Sequence, residues 1–94
     1  MRFLPQEHAA FTAALQAHGV DPGSVLFVKR RGRLYVQLPG SNASTFCFFR
    51  EKTTKLDEHG QWVDRTHYFV GTGKEDPCDW SMVVRSFEQW LKTH

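Results

Sequence analysis

Hydrophobic residues along this chain fall into two rhythms. At both ends they recur at helical spacing. Around Pro5–His18, Leu4, Phe11, Ala14, Leu15 and Val20 mark a modest stripe; Pro5 suits a first helical position and Gly19 a left-handed stop. From Trp80 to about Lys92 the stripe is stronger: Trp80, Val83, Val84, Phe87 and Leu91 line one side, with Trp90 flanking and Asp79 placed as N-cap. Between these ends the rhythm is that of strands. Thr45-Phe46-Cys47-Phe48-Phe49-Arg50 packs three phenylalanines and a cysteine together without glycine or proline, and reads as a strand buried at least partly on both faces.

Strands predicted over Val25–Lys29 and Arg33–Leu38 are joined by Arg31-Gly32, a two-residue hairpin turn. That turn sets Val28 opposite Tyr35 and Leu26 opposite Gln37. Val25, Phe27, Leu34, Val36 and Leu38 then share the other, wholly apolar face. Asp21–Ser24 reads as a turn before this hairpin, and Pro39–Ser44 as a loop after it. A second hairpin runs from Thr45 to about Lys55, turns at Asp57-Glu58-His59-Gly60, and returns over Gln61–Val70. A four-residue loop there pairs Leu56 with Gln61, Phe48 with Phe69, Phe49 with Tyr68 and Arg50 with His67. It places Phe46, Phe48 and Phe69 on one face, and Cys47, Phe49, Tyr68 and Val70 on the other. A slip of one residue would exchange the faces.

The expected fold is therefore α+β: a four-stranded antiparallel meander sheet flanked by N-terminal and C-terminal helices (α-β-β-β-β-α), in two layers, forming a single compact domain over 1-94. Two helices joined to opposite ends of a meander can both lie on one sheet face. The other face would then present Leu26, Val28, Tyr35, Phe49 and Tyr68, or their neighbours, with no helix over them, and an uncovered apolar patch marks an interface. The competing arrangement puts one helix on each face. The sequence leaves both open.

Composition narrows the function class. Ninety-four residues suit one domain, and 40% hydrophobic with 23% charged residues describes an ordered globule, not a disordered tail. Twelve basic against ten acidic residues give a net charge of +2, too balanced to demand a nucleic-acid or membrane partner on that ground alone. No secretory apolar segment follows Met1, and no run approaches the ~20 apolar residues of a membrane span. A cytoplasmic protein with reduced Cys47 and Cys78 is expected, and no membrane partner.

Candidate chemistry is sparse. Lys29-Arg30-Arg31-Gly32-Arg33 gathers four cations on one hairpin tip, able to seat on phosphate or carboxylate; charged tips also keep sheet edges soluble. His59 and His67 with Asp57 and Asp64 are the nearest thing to a metal or acid–base group. Asp64 and His67, three apart on a strand, point to opposite faces, so no metal site is expected. Cys47 and His67 fall on opposite faces in this register. Cys78, near a helix start, is better placed for a lowered thiol pKa, although the adjacent Asp79 works against it. Gly71-Thr72-Gly73-Lys74 lacks the length of a P-loop and reads as a turn.

No polar groups converge, so the reading is non-enzymatic, with no cofactor. The expected function is a small interaction module of adaptor, inhibitor or immunity type, binding a protein partner or itself as a homodimer through an exposed sheet face. The alternative is a nucleic-acid-binding protein using the basic tip 29–33 and adjacent aromatics. The candidate partner-binding residues are Lys29, Arg30, Arg31, Arg33, Tyr35, Phe49 and Tyr68. Two short likenesses assign no family. Val25–Val28 with Phe46–Arg50 superficially resembles the paired strand motifs of RNA-recognition modules, without their glycines or strand order. Gly60–Tyr68 looks locally like one strand of bacterial single-stranded-DNA-binding proteins.

Overall fold

The computed structural model describes residues 2–39, 45–71 and 76–93. Helix α1 spans Pro5–Ala17, strands β1 to β4 span Leu26–Arg30, Arg33–Gln37, Thr45–Leu56 and Trp62–Val70, and helix α2 spans Trp80–Lys92. The strands form one antiparallel sheet in the order β1-β2-β3-β4, a simple meander. Gly19 ends α1 with φ of 75°, in the left-handed region that glycine enters without penalty. The Asp21 carboxylate caps a single 3₁₀ turn, Pro22–Ser24, by accepting from the Gly23 N–H. Asp79 caps α2, accepting from the Met82 N–H at 3.1 Å. The Gly71–Lys74 turn expected from the sequence falls largely outside the described residues.

The first hairpin has the expected register, with Val28 opposite Tyr35 and Leu26 opposite Gln37. The second differs by one residue. Leu56 pairs with Trp62, Phe49 with Phe69 and Arg50 with Tyr68. The cause lies in the turn. The Gly60 N–H closes onto the Asp57 carbonyl at 3.1 Å, and the Asp57 N–H bonds the Gln61 carbonyl at 2.8 Å. Gly60 supplies the left-handed residue, φ 77°, that such a turn requires after its tight bend. The loop thus spans five residues, not four, and every β4 side chain changes face relative to the expectation. Tyr68 joins Phe46 and Phe48; Phe69 joins Cys47 and Phe49.

Both helices pack on the same face of the sheet. Phe11 and Leu15 from α1, and Val83, Phe87 and Leu91 from α2, form one core with Leu34, Val36, Phe46, Phe48 and Tyr68. The Phe11 and Phe87 rings meet edge to face with centroids 4.6 Å apart, and Phe46 meets Phe87 at 5.2 Å. Among the described residues no helix covers the opposite face.

The molecule is long for its size. Its extents are 51 × 25 × 21 Å and its radius of gyration is 14.8 Å, whereas a compact chain of this length would measure about 12 Å. Strand length explains the difference. β1 and β2 are five residues each, but β3 has twelve and β4 nine. Beyond Arg50, β3 and β4 leave the body as a two-stranded ribbon ending in the Asp57–Gln61 turn.

Candidate interaction surfaces

The register assigns each sequence-predicted residue to a surface. Tyr68 lies beneath the helices, 9% exposed. It is unavailable to any ligand on the uncovered face, and this placement corrects the expectation. Its hydroxyl donates to Glu7 Oε2 at 3.0 Å. Glu7 is fully buried, and its Oε1 accepts from Arg50 Nη1 at 2.7 Å and from the Leu4 main-chain N–H at 2.8 Å. Arg50 also donates to the Arg2 carbonyl. Burial, then the Glu7 charge, push the Tyr68 hydroxyl pKa up to about 12. The cluster ties the start of α1 to the base of the ribbon. Both carboxylate oxygens of Glu7 are engaged within it.

Phe49 does lie on the uncovered face, yet it is only 5% exposed. It stacks on Phe69 with centroids 4.8 Å apart and planes at 15°, and the Arg33 guanidinium sits 5.0 Å over its ring. Cys47 beside it is also buried, donating its thiol to the Gly71 carbonyl at 3.0 Å. The centre of this face is therefore closed to a partner. What it presents is a periphery: Leu26 at 57% and Val63 at 38% exposure, half-buried Val28 and Tyr35, and charges. Pairing places Arg30, Arg33, Lys55 and Arg65 on this face together with the Glu51 carboxylate, and Asp57 borders the same hollow as Lys55 and Arg65 just past the strand end. Lys29, Arg30 and Arg31 are exposed at the hairpin tip, with Lys29 directed to the helix side.

The ribbon carries an exposed apolar pair that the sequence pattern did not single out. On its helix side, past the reach of either helix, Leu56 and Trp62 sit directly opposite each other, 56% and 70% exposed. Next to them Thr54 donates to the Asp64 carboxylate at 2.9 Å, and Lys52 and Thr66 complete a polar surround. The missed signal was the count of strand residues. Six pairs from Glu51 to Leu56 have no β2 partner and extend past the helix-covered core, which ends at the Arg50–Tyr68 pair.

Among the described residues no three His, Cys, Asp or Glu side chains group as metal ligands. Cys47 and His67 share the uncovered face, contrary to the expected register, but stand four positions apart along the strands, roughly 13 Å. Cys78 pairs with Tyr68 through two main-chain hydrogen bonds, of 2.8 and 3.0 Å. Its thiol pKa is raised by burial and, as the neighbouring acid suggested, by the Asp79 charge. No protein family, characterised protein or solved structure matches this chain. No described helix is long and apolar enough to cross a membrane. The surfaces themselves are the remaining guide to function.

Proposed function

We propose that this protein is a small, non-catalytic interaction module, working in the cytoplasm, that docks a protein partner through the projecting β3–β4 ribbon. The observation that carries the reading is the Leu56–Trp62 pair, 56% and 70% exposed on an uncovered stretch of sheet. A two-stranded ribbon is marginally stable alone in water, and a chain that extends one with an apolar pair at its end gains from covering it. Tryptophan in a polar surround is the composition of an interface hot spot: the ring fills an apolar cleft while the rim excludes water. The partner implied is a protein with a cleft sized for an indole. Engagement needs no rearrangement of the body, since the ribbon already stands clear of it.

The test is site-specific photocrosslinking in cells. Trp62→p-benzoylphenylalanine should give one discrete protein adduct, and Arg85→p-benzoylphenylalanine, on the exposed side of α2, should give none. Adducts of equal yield at both positions, or none at 62, would remove the reading.

A further inference from the structure

The outer edge of β4 is open along the ribbon. Next to the body it is occupied: Tyr68 exchanges two main-chain hydrogen bonds with Cys78, of 3.0 and 2.8 Å. The peptide groups of Tyr68 therefore point away from β3. In an antiparallel ladder that direction recurs at every second residue. Trp62, Asp64 and Thr66 thus turn three N–H and three C=O groups outward, and among the described residues no protein group meets them. Trp62 to Thr66 are exposed, lack proline, and pair with β3 without a bulge. The other edges are better protected. β1 is five residues long and ends in Lys29 and Arg30, and β3 beyond Arg50 carries Lys52 and Lys55. Short length and lysine are common means of keeping an edge unpaired.

A second copy of this chain fits the β4 edge badly. A two-fold axis through Asp64 pairs Trp62 with Thr66 and sets two Asp64 carboxylates opposite each other. An axis through Arg65 sets two arginines opposite each other and brings Trp62 onto Tyr68, whose outward groups Cys78 already holds. An axis through Val63 pairs only Trp62 and Asp64 among the three outward residues. Like charges directly opposite destabilise a ladder. A strand of different sequence has no such conflict. Asp64 and Arg65 favour a base and an acid at successive positions of that strand, on opposite faces. At the inner end of the edge, a hollow of about 410 Å³ bordered by Thr66, His67, Pro77 and Asp79 has room for one more side chain.

We propose that the partner of the ribbon adds an extended segment to β4 as a fifth strand, with a basic residue opposite Asp64 and an acidic one opposite Arg65. The strand runs antiparallel, the sense in which Cys78 already pairs with this edge. The inference rests on the ribbon being a docking element and adds how the partner is held. Main-chain hydrogen bonds supply affinity, and the two charges select the segment and its register.

The sequence of β3 supplies a probe. Residues 49–56, laid antiparallel on the open edge with Lys52 opposite Asp64, bring Glu51 opposite Arg65, Thr54 opposite Trp62 and Phe49 opposite His67 at the hollow. A synthetic acetylated peptide of that sequence, titrated against the isotope-labelled full chain, tests the proposal. Amide exchange should slow at Trp62, Asp64 and Thr66 but not at Val63 and Arg65, whose N–H groups already bond β3. Thr66→Pro removes an outward N–H that β3 does not use. It should keep the wild-type melting curve and weaken the peptide about tenfold. Asp64→Lys should weaken it about fivefold, and a peptide carrying Lys52→Glu should recover that loss. Absent binding, protection spread evenly over 62–66, indifference to Thr66→Pro, or no recovery by the exchanged charge would each overturn the proposal. So would a free protein that sediments as a dimer and becomes a monomer in Thr66→Pro, since a second copy would then hold the edge. Crosslinking separates this proposal from the docking reading. A position-62 adduct that survives Thr66→Pro removes the added strand alone, whereas no adduct with Thr66 intact removes both.

Discussion

Glu7 and Arg50 meet at 2.7 Å although 43 residues separate them, and the carboxylate is fully buried. The pair fixes the first turn of α1 against the strand from which the ribbon departs. A buried charge pair adds little over a well-packed apolar one, but removing one partner strands the other. Glu7→Ala should therefore cost about 3 kcal/mol, lowering Tm by on the order of 15 °C in a chain of this size. Glu7→Gln keeps one acceptor oxygen for the Leu4 N–H and places an amide N–H2 that can donate to the Tyr68 oxygen, and should cost about half as much. Thermal melts of both variants, with Arg50→Met to close a double-mutant cycle, measure this. A coupling energy below about 0.5 kcal/mol would show the pair to be incidental.

Tyr68 gives the same cluster a dependence on pH. Burial and the Glu7 charge raise its folded pKa to about 12, above the ordinary value near 10. The folded state thus favours the neutral hydroxyl. Its contribution is fully present below pH 10 and is lost as pH rises from about 10 to about 12. The wild-type protein should lose Tm across that window more steeply than Tyr68→Phe. Parallel alkaline profiles for the two proteins would contradict the assignment.

The fold was largely legible because its signals are local. Proline at the start of α1, glycine at its end, Asp79 before α2 and the amphipathic stripe of α2 each act within a few residues. The second-hairpin register was not legible, and a single residue decided it. A four-residue loop and a five-residue loop both suit Asp57-Glu58-His59-Gly60. The choice rests on the Asp57 carboxylate, which accepts from the His59 N–H at 2.9 Å and the Gln61 N–H at 2.8 Å. That slip moved Tyr68 from the expected binding face into the core. The Glu7 cluster was not legible for a related reason. A carboxylate in a first helical turn reads as a dipole partner, and nothing local shows that Arg50 and Tyr68 will converge on it.

The turn itself yields a prediction. Asp57→Ala removes two hydrogen bonds to its carboxylate, and Gly60→Ala forces a side chain into the left-handed region, where φ is 77°. Each should cost about 1 kcal/mol. The loss should be confined to the ribbon, because neither residue touches the core. Amide exchange should accelerate over Thr53–Arg65 while α2 keeps its protection. Uniform acceleration throughout the chain would show that the ribbon and body unfold as one unit.

Trp62 separates stability from function most cleanly. At 70% exposure it has little apolar surface to lose on truncation, so Trp62→Ala should change stability by no more than about 0.5 kcal/mol. Phe87→Ala, from a fully buried position, should cost about 4 kcal/mol. If the ribbon is a docking element, Trp62→Ala gives a protein that melts like wild type and no longer competes for the crosslinked partner. Phe87→Ala shows the reverse: weakened folding, with partner binding retained in the folded fraction. A Trp62→Ala protein that melts well below wild type would mean that the indole packs against its own chain, and the ribbon would then be a structural prop without a docking role.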